Sequence, residues 1–289
     1  MKLSLDGRSL ESLNWELTGE GGFFTGARVM TTLLRVGQRF VDFDRHIDRL
    51  SADAEIMGIG PCPAQEVWKF DAQALVDAQP KSERYRVRLI LFKDAFGVTR
   101  RVVVVDAVTA TRSDTKEALR LDTMVDKSWS RGAHIKTGIV GRREAELSRA
   151  RSRGFDDILW VNSEQELVEA TWANIFLLGR TGDLVEIATP PESSGILPGI
   201  TRARIIDLLQ ASGIPVTIRP ITLDEVPRFD EAFLTSSIQG VVAVGQIGRH
   251  KLPTLRGSSV FRHIRRLYQT WLSLDNDYDQ GPTHQPMLS

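Results

Sequence analysis

Cysteine is nearly absent: the 289 residues hold one, Cys62, so no disulfide can close within the chain and no cluster of thiolates can bind zinc. A reducing, cytoplasmic setting is the expectation, with no metal. Charge of one sign is missing too. Lys plus Arg number 37 and Asp plus Glu 37, leaving no net field to draw the chain to nucleic acid or to an anionic membrane. Long apolar runs are also lacking: no window approaches the roughly 20 residues that span a bilayer, and Met1-Lys2-Leu3-Ser4-Leu5-Asp6 carries no signal-peptide core. These absences leave a small molecule as the expected partner. The length suits one large domain or two of ordinary size.

Strands and helices alternate along the chain. Gly26 to Leu34 reads as a strand, and His46 to Met57 as a helix with Ile47, Leu50, Ala54 and Met57 on one face. Tyr85–Phe92 and Arg101–Val105 read as a hairpin turning at Asp94–Gly97. The polar run from Thr109 to Lys116 has no apolar period and marks a joint. The expected division is an α+β domain over 1–110, a linker over 111–118, a larger α/β domain over 119–274, and a disordered tail over 275–289. In the second unit Arg142 to Gly154 reads as a charged helix, and Asp157–Asn162, Leu167–Leu178, Ile214–Ile218 and Glu231–Ser236 read as strands. A helix follows Thr201 and stops at Gly213, and a last one, Val260 to Leu274, is expected to bury Ile264, Leu267, Trp271 and Leu274.

The chemistry gathers at three places. Leu197-Pro198-Gly199-Ile200-Thr201-Arg202 is a turn that opens a helix, where free N–H groups and the positive end of the dipole favour a phosphate, and Gly199 permits close backbone approach. Glu169 follows Leu167-Val168 on a strand, a carboxylate in apolar surroundings that needs a partner. Lys136, after His134-Ile135, is an amine that burial and a neighbouring cation would bring toward neutrality.

These residues carry a resemblance to the class IV aminotransferases, the fold-type IV group of pyridoxal-phosphate enzymes. It runs in order through Phe24-Thr25-Gly26-Ala27-Arg28, His46-Ile47-Asp48-Arg49-Leu50, Ile135-Lys136, Val168-Glu169 with Asn174-Ile175-Phe176, Leu197 to Arg202, and Thr235-Ser236-Ser237. The resemblance implies two α/β domains with pyridoxal 5'-phosphate between them and a homodimer. It also implies roles. Lys136 condenses with the aldehyde of the cofactor and carries the proton at the substrate carbon. Glu169 bonds the pyridine nitrogen, and Arg49 grips the phosphate with a planar fork. Ile200 and Thr201 offer N–H groups and a hydroxyl, Ser236 a further hydroxyl, and Leu197 packs on the ring. His46 and Asn174 are expected to be structural, and Thr201 also suits a helix cap.

The substrate pattern is mixed. Branched-chain aminotransferases carry an Asn-Tyr pair shortly after the lysine, whereas Lys136-Thr137-Gly138-Ile139-Val140-Gly141-Arg142-Arg143 has no tyrosine, and Tyr85, Tyr268 and Tyr278 are not in register to replace it. Phe24 to Arg28, Lys136-Thr137 and Ser237-Ile238-Gln239-Gly240 are similar to aminodeoxychorismate lyases, although Gly26 matches the branched-chain pattern. The expected activity is therefore pyruvate elimination giving 4-aminobenzoate. The alternatives are an amino-acid transaminase for branched-chain or D-amino acids, and a catalytically silent relative. Arg28, Arg86 and Arg88 are candidates to hold substrate carboxylates, although alternating arginines also mark the solvated face of a strand.

Overall fold

The computed structural model describes residues 1–10, 26–109, 118–127, 135–137, 141–181, 184–252 and 260–274. Phe24, Thr25, His134, most of the expected linker and the tail 275–289 lie outside them.

The first sheet is antiparallel throughout. It comprises β1 (Lys2–Leu5), β2 (Arg8–Leu10), β3 (Arg28–Val36), β4 (Arg39–Phe40), β5 (Arg84–Lys93) and β6 (Thr99–Ala107), in the order β2-β1-β6-β5-β3-β4. The alternation of β-branched and leucine residues in β3, β5 and β6 gives it one largely apolar face, interrupted on β3 by Thr31 and Arg35. Val29, Leu33, Val87, Leu89, Leu91, Val103 and Val105 point there, against α1 (Phe43–Ile56) and α2 (Gln65–Asp77). In α1, Ile47, Leu50 and Ala54 are buried as the periodicity predicts, with Met57 partly so just beyond its end. The opposite face of the sheet carries a smaller cluster of Leu3, Ile90, Phe92 and Val102.

The second sheet contains β7 (Leu119–Val125), β8 (Asp157–Val161), β9 (Leu167–Ala170), β10 (Asn174–Thr181), β11 (Leu184–Thr189), β12 (Thr217–Ile218), β13 (Glu231–Ser236), β14 (Gly240–Ile247) and β15 (His250–Lys251). Its order is β12-β11-β10-β13-β14-β7-β8-β9, and β9 then pairs back with β10 through Glu169 and Asn174. The sheet thus curls on itself around a core that includes Leu121, Leu159, Ile175, Leu177, Leu234 and Val242. Outside it pack α3 (Gly141–Ser152), α4 (Ile200–Ala211) and α5 (Val260–Ser273).

Three expectations need correction. The single strand expected over Leu167–Leu178 is broken at Thr171–Ala173, and its halves fold back antiparallel; a bend of this kind leaves no mark in an apolar run. The strand expected over Ile214–Ile218 is reduced to Thr217–Ile218. Helix α5 buries Phe261, Ile264 and Tyr268, whereas Leu267 and Trp271 are half-buried and Leu274 is exposed, because the burying stripe runs through 261, 264 and 268. No helix among the described residues is long and apolar enough to cross a membrane.

Helix α1 also faces the second sheet. Arg45 bonds Asp207 at 2.7 Å, and Arg204 of α4 pairs with Asp42, which caps α1 in a left-handed conformation with φ 50°. Arg39 donates to the carbonyls of Trp271 and Leu272 and lies over the Trp271 ring, which Arg204 also stacks against.

Candidate active site

Strand β4 covers only Arg35 and Val36 of β3, so the outer edge of β3 is open near Met30. An open edge needs partners for its N–H and C=O groups. Residues 135–137 supply them: the Met30 N–H donates to the carbonyl of Lys136 at 2.8 Å, and Arg28 Nε donates to that of Thr137 at 3.1 Å. The Lys136 N–H in turn donates to Asp53 Oδ2 of α1 at 3.3 Å. Lys136 is thereby fixed against both β3 and α1. Burial lowers its amine from 10.5 to about 8, Arg49 and Arg88 pushing it the same way and Glu169 and Asp53 opposing.

A second stripe of α1, at spacing i, i+3 and i+7, carries His46, Arg49 and Asp53. Thr31 Oγ1 accepts from Arg49 at 3.0 Å and lies 2.6 Å from His46 Nδ1. Burial, Arg49 and Lys136 hold His46 well below its usual pKa, so the ring is neutral and carries its single proton on Nδ1, across from Thr31, or on Nε2, according to its tautomer. His46 is packed in the core, 1% exposed. Arg49 also donates to the Pro198 carbonyl at 2.8 Å, while its buried Nε finds no partner among the described residues.

Glu169 approaches the same turn from the other side. Its Oε2 accepts from the Leu197 N–H at 2.9 Å and from Asn174 Nδ2 at 3.2 Å, and its Oε1 lies 3.3 Å from an Arg143 guanidinium nitrogen. Burial raises its pKa, and Arg143 is the largest influence opposing the rise. Asn174 also donates to the Leu197 carbonyl at 3.0 Å, so one side chain braces both the carboxylate and the turn. The close approach at Gly199 comes from Asn174: a Cβ there would collide with Asn174 Oδ1.

Gly199 gives α4 no side-chain cap, and the first N–H groups of any helix lack intrahelical partners. Ile200 and Thr201 are buried in this first turn, and the Thr201 hydroxyl bonds Tyr268. Ser236, at the end of β13, accepts from the Gln239 N–H at 3.3 Å. Next to it, the buried Thr235 Oγ1 has no partner among the described residues.

Arg28, Arg86 and Arg88 share the face of the first sheet that carries Ile90 and Phe92. Asp106 pairs with Arg86 at 3.0 Å and with Arg88 at 3.5 Å.

The family model for class IV amino-transferases matches residues 22–247. The chain belongs to amino-transferase class IV, a family of pyridoxal-phosphate enzymes. It is 26% identical to a probable branched-chain-amino-acid aminotransferase of Synechocystis over 221 residues, 71% of this chain and 68% of that protein. A mitochondrial branched-chain amino acid aminotransferase of Humulus lupulus is 36% identical over 119 residues, 40% of this chain and 29% of that protein. Several such matches thus span well under half of the relative's length. Among solved structures, a branched-chain aminotransferase of Thermoproteus uzoniensis superposes with a TM-score of 0.76 at 23% identity, covering 93% of each chain. A hypothetical aminotransferase of Mycobacterium tuberculosis, in a form titled PLP-bound, gives 0.81 at 20% identity, covering 96% of this chain and 100% of that one. These likenesses establish the fold-type IV architecture.

Sequence reasoning missed four residues around this candidate site: Thr31, Asp53, Arg143 and Tyr268. Asp53 was within reach, because it follows Arg49 by one helical turn. The others depend on contacts between distant segments.

Proposed function

We propose that this chain is a pyridoxal 5'-phosphate-dependent amino-acid transaminase that takes its amino group from a branched-chain donor. One observation carries the reading: the turn Leu197–Ile200 receives Arg49 from α1 and Glu169 from β9, with Lys136 held beside both. Arg49 Nε and the Thr235 hydroxyl, each without a partner among the described residues, and the start of α4, which has no side-chain cap, suit a phosphate, and the buried carboxylate suits a ring nitrogen. The branched-chain donor follows the relatives, which are named for it. The lyase reading rests on short loop patterns and a missing tyrosine, whereas the relatives reported above are named for branched-chain transamination.

When bound, the cofactor supplies an electron sink for the substrate carbon. Arg49, the N–H groups of Ile200 and Thr201 behind Gly199, and the Ser236 hydroxyl hold its phosphate. Leu197 would lie at its ring, and Glu169 would accept from the ring N–H. Lys136 Nζ would hold the cofactor and, as a base, would take up and return the proton at the α-carbon of the donor. An amine with a pKa of about 8 is neutral in about one molecule in ten at pH 7, against about three in ten thousand for an ordinary lysine. Arg28, Arg86 and Arg88 hold the substrate carboxylate. We read the two sheets as domains 1–110 and 119–274 closing on the cofactor, in a cytoplasmic homodimer.

The test is the absorbance of the cofactor-loaded protein after separate addition of L-leucine, L-glutamate, D-alanine and aminodeoxychorismate. Loss of the yellow band with L-leucine supports the proposal. A band that persists with every amino acid while aminodeoxychorismate yields pyruvate would restore the lyase.

A further inference from the structure

Two adjacent arginines open α3, and they part company. Arg142 turns outward to Asp126 at 3.0 Å, with its side chain 61% exposed. Arg143 turns inward to Glu169 Oε1, with its side chain 26% exposed against 6% for the glutamate. The two oxygens of Glu169 are engaged unequally. Oε2 takes two donors, the Leu197 N–H and Asn174 Nδ2, whereas among the described residues Oε1 meets Arg143 alone, and a carboxylate oxygen with one donor keeps capacity for a further hydrogen bond. The other charged groups near this carboxylate are Lys136, from the segment docked on β3, and Arg49 from α1. Arg143 is the one in hydrogen-bond contact, and it comes from a helix that supplies none of the other residues assigned to the site.

Resting on the reading above, in which Glu169 faces the ring nitrogen, we propose that Arg143 is a positioning residue that weakens Glu169 as a proton acceptor and so sets how firmly the ring nitrogen keeps its proton. A cation bonded to a carboxylate stabilises the ionised form and leaves less basicity to share with a third group. Its charge also disfavours a second positive charge on the ring directly. Both effects have the same sign: the proton on the glutamate–ring pair is released at lower pH with Arg143 present than without it. The chain thereby limits electron withdrawal by the ring, using a residue seven positions after the lysine.

The test loads the full-length protein with cofactor labelled with nitrogen-15 in the ring and follows the ring-nitrogen resonance against pH. Wild type, Arg143→Gln, Arg143→Lys and Glu169→Gln are compared. In Arg143→Gln the midpoint moves upward by about one pH unit or more, the scale on which an adjacent opposite charge moves a carboxylate. Arg143→Lys, which keeps the charge, restores most of the wild-type value; a brace acting by shape alone predicts that Lys fails as Gln does. Glu169→Gln moves the resonance to that of unprotonated pyridine. If Glu169→Gln shifts the signal while Arg143→Gln leaves the midpoint in place, the role of Arg143 is refuted and that of Glu169 stands. If Glu169→Gln leaves the signal unmoved, the ring nitrogen does not face this carboxylate, and both readings fall.

Discussion

Replacing Lys136 by methionine should stabilise the cofactor-free protein while abolishing turnover. The amine is held among Arg49, Arg88, Glu169 and Asp53, and burial brings it from 10.5 to about 8. Below pH 8 the folded and unfolded chains both carry this proton, and the folded chain bears the full cost of holding the charge. That cost is at most about 3 kcal/mol, at about 1.4 kcal/mol per pH unit of displacement. Between pH 8 and 10.5 the folded chain releases the proton while the unfolded chain keeps it, so wild-type stability rises with pH. Above 10.5 both are neutral and the cost is gone. Methionine has comparable length and no charge. Its advantage in urea denaturation should therefore approach about 3 kcal/mol at pH 7, shrink between pH 8 and 10.5, and vanish above. Tryptophan fluorescence of the two cofactor-free proteins at pH 7, 9 and 10.5 measures it. A variant no more stable than wild type at pH 7, or a gain that stays constant across this range, refutes the reasoning.

Other perturbations bear on the elements around the lysine. Arg49→Gln removes a charge-assisted contact of about 1.5–3 kcal/mol, so the dissociation constant for the cofactor, read by absorbance titration, should rise about tenfold to a hundredfold. Asp42→Asn keeps a residue that tolerates the left-handed cap of α1 but leaves Arg204, stacked on Trp271, without its carboxylate; thermal or urea unfolding should show a loss of about 3 kcal/mol. Gly199→Ala forces a Cβ against Asn174, with an expected cost of about 1–3 kcal/mol in unfolding and weaker cofactor binding as the brace on Glu169 loosens.

Much of this site can be read along the chain because each chemical residue sits at a local punctuation. Gly199 precedes a helix, Glu169 lies within an apolar run, and Arg49 lies one turn after His46. The reach of those signals ends where the chain folds back. The bend at Thr171–Ala173 turns one expected strand into two and sets Asn174 opposite Glu169. Gly199 illustrates the same limit: the turn is visible in sequence, but its need for glycine comes from Asn174, 25 positions earlier in the chain. Thr31 could not be singled out either, since its hydroxyl matters only because α1 packs His46 and Arg49 across it. The lyase expectation rested on short loop patterns and on a missing tyrosine, and absence of one side chain does not say which group stands in its place.

Borohydride reduction of the cofactor-loaded protein, followed by peptide mapping, tests the central claim most directly. The account predicts a stable phosphopyridoxyl label on the peptide carrying Lys136 and no label in Lys136→Met. A label on another lysine, or none on a protein that has taken up the cofactor, would contradict it.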